Sequence, residues 1–375
     1  MGNIRVLVVD DSMVIRSMIC DAIESEPGME VAGTASDGVK AVAAFKKFKP
    51  DVVTLDIQMP KLDGLETLDA ILAIQPVPVI MVSGLTQLGG STTFDALDRG
   101  AIDYVAKPGN SSEAAEVLGG DLIRKVRGAA GTDVSRIMRI RKERNTRRQQ
   151  QKQRKAIEQT VPKSHGDSIN SLHLADKCIA IGISTGGPPA LASLFESLRP
   201  PMPPIVVVQH MPGQFTKPFS WRLNSLAQLT VKEAVSGDIL RPNHVLIAPG
   251  GRHLQVRAQG RMTKILIRDG DPVSGHKPSV DVMMKSVAEI FSDRCLGVIM
   301  TGMGRDGSDG CGAIRDAGGY TLGQDEASSD VYGMNKVAYV EGNIDRQFSL
   351  DRAATIISQQ VSRLWKQKLV ACGSS

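Results

Sequence analysis

Polar residues that could bind phosphate follow four short apolar runs in the first 107 residues. They are Asp10, Asp11, Asp56, Ser83 and Lys107. Three carboxylates at one sheet edge repel one another, so a divalent cation and the Lys107 ammonium are expected to neutralise them. Because Mg²⁺ readily accepts phosphate oxygens, the set favours an aspartyl-phosphate site. Asp10 or Asp11 could instead cap the next helix, but capping does not account for polar residues after all four runs.

A serine, a histidine and an aspartate follow three apolar runs in the second half. Ser184 lies in the turn 182–187 (Gly-Ile-Ser-Thr-Gly-Gly), and His210 and Asp306 each follow a later run. If the three turns meet, His210 deprotonates the Ser184 hydroxyl and Asp306 fixes the imidazole tautomer. Backbone N–H groups of the glycine-rich turns would stabilise the oxyanion. The pattern predicts acyl transfer by a Ser-His-Asp triad.

Other interpretations of these turns exist. The turn 182–187 could bind an anion at a helix N-terminus, with Ser184 incidental. Residues 302–307 match the GxGxxG of dinucleotide sites, but the motif falls late in its domain and would put Asp306 beside a pyrophosphate. The serine turn also fits the GxSxG of α/β-hydrolases, in which the acid precedes the histidine. Here His210 precedes the acid, which argues against that fold.

Alternating strand and helix patterns must position these residues. In the first half, strand-like runs at 4–9, 51–55, 79–82 and 102–105 alternate with helical patterns at 14–25, 39–48, 65–74, 92–98 and 113–126. In the second half, strands are predicted at 178–183, 204–209, 244–249, 263–268 and 295–300, with a helix at 188–198. This alternation is typical of α/β domains with a doubly wound parallel sheet, whose ligands collect at the carboxyl ends of the strands.

Length and composition exclude several classes of protein. A chain of 375 residues predicts two domains, and 42% hydrophobic residues can build packed cores. Aromatic residues make up only 4%, which argues against a single-strand nucleic-acid reader. No apolar run reaches membrane-spanning length, and no signal segment is evident. Five scattered cysteines without CxxC spacing indicate reduced thiols and a cytoplasmic location.

The positive charge is concentrated in one segment. Residues 124–155 hold thirteen Lys or Arg and two acidic residues, while the whole chain carries only +5. The remainder is therefore mildly acidic, so we expect no nucleic-acid partner. The run at 139–155 has almost no apolar residues, and it is interpreted as a linker, with a frayed extension of the preceding helix as an alternative. A contact of this run with an acidic partner or a membrane surface is a weaker alternative.

The first half resembles the receiver domain of response regulators. Residues 1–127 carry the acidic pair, the segment LDIQMPKLDG around Asp56, and VAKP ending at Pro108. The resemblance implies a flavodoxin-like fold and a histidine kinase that phosphorylates Asp56. Ser83 and Lys107 would bind the phosphoryl oxygens.

The same resemblance implies a metal site and a switch residue. Asp11, Asp56 and the backbone carbonyl of Gln58 would hold Mg²⁺, with Asp10 contributing through water. Tyr104 would be the rotating aromatic of the switch, and the bond before Pro108 would be cis in this family.

The second half resembles the methylesterase domain of chemotaxis-specific protein-glutamate methylesterases. The motifs are GISTGGP, VVVQHMP, HKPSVDVMM and TGMGRDG, within residues 177–365. The resemblance implies a Rossmann-like esterase domain with the triad above, oxyanion N–H donors at Thr185 and Met303, and no cofactor for the esterase. The connector at 128–176 is longer and more basic than expected for the family, and 366–375 is a tail.

Together the resemblances imply phosphorylation-regulated hydrolysis of glutamate methyl esters on the cytoplasmic domains of chemoreceptors, with deamidation of selected glutamines. His276 and Asp281 are expected to shape the cleft rather than to catalyse. Two alternatives remain: a receiver fused to a DNA-binding effector, and a docking module without catalysis. The strand-rich second half leaves little room for a helix-turn-helix motif.

Overall fold

The computed structural model describes residues 2–84, 87–107, 112–143, 146, 173–260 and 262–365, with side chains excluded at 87–91 and 112–118. The chain divides into two compact units, one on each side of residues 147–172. Pro108 and the predicted tail at 366–375 lie outside the described residues.

The first unit contains a five-stranded parallel sheet of order β2-β1-β3-β4-β5. Its strands are β1 (Ile4–Val9), β2 (Met29–Ala35), β3 (Val52–Asp56), β4 (Val79–Ser83) and β5 (Asp103–Ala106). Its helices are α1 (Met13–Glu24), α2 (Gly38–Phe48), α3 (Gly64–Ile74), α4 (Gln87–Arg99) and α5 (Ser112–Ala129).

Burial explains which of these strands the sequence predicted. The strands β3 and β4 are buried along their whole length, so they form continuous apolar runs, as inner strands of a parallel sheet require. The prediction of a doubly wound parallel sheet is confirmed. The prediction identified no run for β2, because this edge strand is buried only at Met29 and Ala35 and is mostly polar or small between them.

A further helix begins within the predicted linker. Residues 134–143 are helical (α6), and they bury Val134, Ile137 and Arg141. The spacing of the three residues places them on one helix face. Arg141 donates hydrogen bonds from Nη1 to the carbonyl oxygens of Leu97 at 2.6 Å and Ala101 at 3.3 Å. A basic residue therefore anchors this helix to the end of α4.

The second unit is built on a seven-stranded parallel sheet of order β14-β13-β12-β6-β7-β9-β8, with a separate antiparallel hairpin, β10–β11. The strands are β6 (Cys178–Ile183), β7 (Ile205–Gln209), β8 (Thr230–Glu233), β9 (His244–Ile247), β10 (His253–Gln259), β11 (Met262–Arg268), β12 (Cys295–Ile299), β13 (Tyr320–Gln324) and β14 (Arg346–Phe348). The helices are α7 (Gly187–Ser197), α8 (Gly213–Leu226), α9 (Val280–Phe291), α10 (Ser308–Asp316), α11 (Met334–Val340) and α12 (Ala353–Trp365).

The order of the strands creates a crevice beside β6. The unit starts with β6 in the middle of the sheet, extends through β7, β9 and β8, and returns to place β12 on the other side of β6. The connection after β6 therefore leads to β7 on one side, whereas the connection after β12 leads to β13 on the other. In such sheets ligands bind at the carboxyl ends beside this point.

One buried cluster joins the hairpin to the sheet. It contains Leu254 and Val256 of β10, Met283 and Val287 of α9, and Val208 of β7. The helix α9 begins at the N-cap Ser279, whose hydroxyl accepts the N–H of Val282 at 3.3 Å. Packing and capping together fix the N-terminal end of α9 at the crevice.

Among the described residues, no helix combines the length and the apolar character needed to cross a membrane.

We predict that Arg141→Met loosens the C-terminal turn of α4. The change removes the arginine donor from two carbonyl oxygens, of which that of Leu97 keeps the N–H of Gly100 at 3.3 Å. The loss of these bonds costs about 1–3 kcal/mol. Amide exchange in that turn and in β5 should accelerate by the corresponding factor in the full-length chain, measured by hydrogen exchange. The control is Arg139→Met, because Arg139 is exposed in the same helix. Equal exchange rates in the two variants would contradict the anchoring role of Arg141.

Candidate functional sites

The strand register brings residues 184 and 210 to the same level of the sheet. In the β6–β7 pair, Ile183 lies opposite Gln209, and the N–H of His210 donates to the carbonyl of Ile183 at 3.1 Å. Adjacent strands lie about 4.7–4.9 Å apart. The residues that follow this pair, Ser184 and His210, therefore leave neighbouring strands side by side.

The serine turn is held from both sides. The N–H of Ser184 donates to the carbonyl of Thr301 at 3.0 Å, and the N–H of Gly187 donates to the carbonyl of Ser184 at 2.8 Å. A Cβ atom at Gly302 would lie 2.8 Å from Ser184 Cβ, so only glycine permits this approach. Ser184 itself is buried and precedes the positive N-terminal end of α7.

His210 and Asp306 form a direct hydrogen bond. His210 Nε2 lies 2.8 Å from Asp306 Oδ2. With the proton on Nε2 donated to the carboxylate, the neutral ring leaves Nδ1 as an acceptor. Nδ1 is buried and bonds to no group in the described part of the chain. In the chymotrypsin triad the other nitrogen, Nδ1, faces the aspartate.

The Asp306 carboxylate lies at the N-terminus of α9. It is fully buried and accepts hydrogen bonds from the N–H of Val280 at 2.7 Å, the N–H of Asp281 at 3.0 Å and the hydroxyl of Ser279 at 2.8 Å. Burial alone raises the pKa of a carboxyl group. Here the hydrogen bond and charge of His210, with the backbone donors, hold the pKa of Asp306 at about 2. The group is therefore an ionised partner for the imidazole.

Asp281 makes the corresponding interaction with the N-terminus of the neighbouring helix, α10. Its Oδ1 atom accepts the N–H groups of Gly307 at 2.9 Å and Gly310 at 2.7 Å, at the start of α10. Burial and the nearby charge of Asp306 raise the pKa of Asp281 to about 6. Each of the two helices thus presents its N-terminus to a carboxylate associated with the other helix.

A second imidazole covers the ring of His210. The rings of His276 and His210 are stacked, with centroids 3.7 Å apart and planes inclined by 8°. The turn that carries His276 is closed by reciprocal backbone hydrogen bonds with Val273. The stack restrains the plane of the His210 ring. The expectation that His276 and Asp281 shape the cleft stays a prediction.

The predicted oxyanion donors lie on the two turns that meet at Ser184. The Thr301 hydroxyl donates to the carbonyl of Thr185 at 2.9 Å, which ties the serine turn to the turn after β12. Met303 follows on that second turn. In the described residues, no hydrogen bond uses the N–H of Met303 as its donor.

In the first unit, the predicted acidic residues converge. One carboxylate oxygen each of Asp10, Asp11 and Asp56 lies within 4.8 Å of the other two. Lys107 Nζ lies 3.0 Å from Asp10 Oδ2 and 2.8 Å from Asp56 Oδ2. Burial raises the pKa of Asp56 to about 6, against the opposing effect of Lys107. The Gln58 N–H donates to Asp56 Oδ1 at 3.3 Å, which brings the Gln58 backbone to this cluster.

These oxygen donors fit a magnesium ion. Mg²⁺ prefers one or two carboxylates and keeps several waters, and Asp11 is exposed beside the two buried carboxylates. A single lysine cannot neutralise three carboxylates, so a cation would relieve the remaining repulsion.

The predicted switch residues lie on β4 and β5. The Ser83 hydroxyl ends β4 and accepts a hydrogen bond from the Thr93 hydroxyl at 2.9 Å. Tyr104 is buried in β5, with its ring edge-on to Phe94 at 6.5 Å and with Lys125 Nζ 5.1 Å from the ring centroid. The predicted cis bond before Pro108 lies outside the described residues.

Two residues that bond to members of the predicted triad were not predicted from the sequence. Gln209 bonds to the carbonyls of Ser184 and His210, and Ser279 bonds to Asp306. A polar residue ending the apolar run of β7 was the available signal for Gln209. For Ser279 the signal was a serine at a helix start, which by itself predicts only a cap.

Comparison with protein families agrees with this architecture. Residues 6–118 match the response regulator receiver domain, and residues 179–357 match the CheB methylesterase domain. The fold and the matched domains define a response regulator whose output domain is an esterase.

Full-length relatives identify the family more closely. The protein-glutamate methylesterase/protein-glutamine glutaminase of Pectobacterium atrosepticum is 41% identical over 96% of this chain and 98% of its own. The relative of the same name from Sulfurimonas denitrificans is 43% identical over 91% of this chain and 94% of its own. The chain belongs to the protein-glutamate methylesterase/protein-glutamine glutaminase family, which confirms the resemblance and the enzyme class predicted from the sequence.

Among solved structures, the methylesterase catalytic domain of Thermotoga maritima CheB is 37% identical and covers 49% of this chain and 98% of its own, with a TM-score of 0.49. The response regulator domain of the same protein is 45% identical and covers 35% of this chain and 98% of its own, with a TM-score of 0.33.

We predict that Asp281→Asn removes a loss of stability that occurs as the pH rises. The folded-state pKa of Asp281, about 6, exceeds its usual value of 3.8, so the folded chain binds the proton more tightly. The free energy of unfolding therefore falls as the pH rises through this window and stays low above it. Asparagine retains an oxygen for the two glycine N–H groups. The advantage of the variant over the natural chain should therefore grow from near zero at about pH 4 to about 1–3 kcal/mol above about pH 6.

Urea unfolding followed by tryptophan fluorescence measures this change, because both tryptophans, Trp221 and Trp365, lie in the second unit. The control is Asp309→Asn. A hydrogen bond from Arg305 lowers the pKa of Asp309, so its removal should have the opposite sign. Parallel pH dependence in the natural chain and in Asp281→Asn would refute the prediction.

Proposed function

We propose that this enzyme hydrolyses γ-glutamyl methyl esters on the cytoplasmic domains of chemoreceptors and deamidates selected glutamines there, acting in the cytoplasm during chemotactic adaptation. The names of the relatives support this substrate class. The His210–Asp306 hydrogen bond, at a strand end in register with Ser184, is the observation that carries the catalytic assignment.

In the proposed reaction, Ser184 Oγ attacks the ester carbonyl while His210 Nδ1 takes its proton. The resulting oxyanion accepts hydrogen bonds from the N–H groups of Thr185 and Met303. The imidazolium then gives its proton to the departing methoxide, and methanol leaves an acyl-enzyme. His210 next deprotonates a water molecule that attacks the acyl carbonyl, and return of the proton to Ser184 Oγ frees the glutamate.

The low pKa of Asp306 suits this cycle. The carboxylate stays ionised at neutral pH, so it stabilises the imidazolium that forms in each half-reaction. Deamidation requires only that ammonia replace methanol as the leaving group.

Phosphorylation of Asp56 by a histidine kinase would regulate the esterase. In this proposal Asp11, Asp56 and the Gln58 carbonyl would hold Mg²⁺, and Asp10 would contribute through water. The ion would neutralise charge on the entering phosphoryl group. Lys107 and Ser83 would bind the phosphoryl oxygens, and the movement of Ser83 would be coupled to Tyr104.

The functional boundaries proposed are 1–127 for the receiver, 128–176 for the connector and 177–365 for the catalytic domain. The family matches at 6–118 and 179–357 support them. We further propose that the unphosphorylated receiver inhibits the esterase and that phosphorylation relieves this inhibition.

Ser184→Ala should reduce methanol release from methylated receptor fragments by about 10³-fold or more, because the nucleophile is lost. The matched control is Ser193→Ala, since Ser193 is equally buried, in α7. Release of methanol is measured from receptor domains carrying labelled methyl groups. Turnover by Ser184→Ala at the rate of the control would exclude the triad.

Asp56→Asn should abolish activation by a small-molecule phosphodonor. The natural chain is expected to accelerate several-fold with phosphoramidate and Mg²⁺, whereas the variant lacks the acceptor oxygen and should stay at the basal rate. Asp63→Asn serves as the control, because Asp63 only caps α3. Stimulation of Asp56→Asn equal to that of the natural chain would contradict the assigned acceptor.

A further inference from the structure

The side-chain amide of Gln209 joins the backbones of the nucleophile and the base. Gln209 ends β7 and is 2% exposed. Its Nε2 group donates to the carbonyl of Ser184 at 3.0 Å and to the carbonyl of His210 at 3.0 Å. Both N–H bonds of the Gln209 amide are therefore used in hydrogen bonds to Ser184 and His210.

No backbone hydrogen bond replaces this bridge. The last bond between the two strands is that from the N–H of His210 to the carbonyl of Ile183. Beyond it, the N–H of Ser184 bonds to Thr301 on the opposite side. Among the described residues, the amide of Gln209 is the direct hydrogen-bonded link between Ser184 and His210.

The other end of the amide indicates why glutamine occupies this position. Its Oε1 atom is buried and has no partner among the described residues. A Cβ atom at Gly187 would lie 1.9 Å from Oε1, so the glycine makes room for the amide. An unpaired buried acceptor destabilises the folded chain, and an apolar side chain would avoid that cost. The two hydrogen bonds that Gln209 donates to the carbonyls of Ser184 and His210 offset this cost.

We infer that Gln209 is a positioning residue that sets the separation between Ser184 and His210. This inference rests on the proposed function. Proton transfer from Oγ to Nδ1 requires hydrogen-bond distance, and a misplacement of about 1 Å can reduce a rate about 10²-fold. Gln209 acts on the rate through the two carbonyls, because among the described residues its amide bonds to these backbone oxygens and to neither the Ser184 hydroxyl nor the His210 ring.

The test uses Gln209→Met in the full-length chain, because methionine has a similar shape but no donor. A fluorophosphonate probe that labels Ser184 gives both the number of active sites and the rate constant of labelling per site. We expect a full number of sites, a labelling rate and kcat about 10- to 100-fold lower, and a KM within about twofold of the natural value.

Gln209→Glu is the second variant, in case methionine prevents folding. It keeps the shape of glutamine and places a carboxylate against two carbonyl oxygens, so its rate per site should fall at least as far. The control is Gln360→Met, because Gln360 is equally buried but lies in α12, which carries no residue of the proposed triad. Its rate per site should stay within about twofold of the natural chain.

Two results would overturn the inference. One is an unchanged labelling rate per site in both Gln209 variants. The other is a loss of activity that is fully explained by fewer labelled sites, which a purely structural role predicts. The proposed function fails separately, if the natural chain is not labelled at Ser184 or if Ser184→Ala retains turnover.

Discussion

The catalytic unit depends on a buried carboxylate, Asp306, that is stabilised by the N-terminus of α9. An isolated buried charge is strongly unfavourable, and it persists only where hydrogen bonds and an opposite charge compensate it. Here two backbone N–H groups, a hydroxyl and an imidazole supply that compensation. The Asp281 carboxylate of α9 likewise accepts N–H groups at the N-terminus of α10, so the two helices are fixed against each other. The His210 ring is therefore oriented by the packing of helices as much as by its own strand.

The two sites solve the same electrostatic problem differently. Both lie at the carboxyl ends of parallel strands, where their sheets bring polar residues together. At Asp306 the backbone donors and His210 hold the pKa at about 2. At Asp56, burial and the neighbouring Asp10 outweigh Lys107, and the pKa is about 6. At the first site the protein's own groups compensate the buried carboxylate, whereas at the second site the compensation by Lys107 is incomplete.

The sequence was sufficient where a single local pattern determined the structure. Continuous apolar runs predicted the inner strands, and the residues after those runs identified the acidic cluster at Asp56. Features that depend on partners distant in sequence were not predictable. Nothing in the residues around Asp281 indicates that its oxygen accepts N–H groups at Gly307, and no periodicity shows which nitrogen of His210 faces the carboxylate. The strand β2 was not predicted, because an edge strand needs no continuous apolar run.

The anchoring of α6 has a mechanical consequence. Arg141 joins this helix to carbonyl oxygens at the end of α4, and α4 also carries Thr93, the partner of the Ser83 hydroxyl. A displacement of α4 that accompanies rearrangement at Ser83 must either pull α6 along or rupture the two arginine bonds. In both cases α6 would respond to a change at Ser83. Through Arg141, the basic segment is thereby mechanically coupled to the receiver.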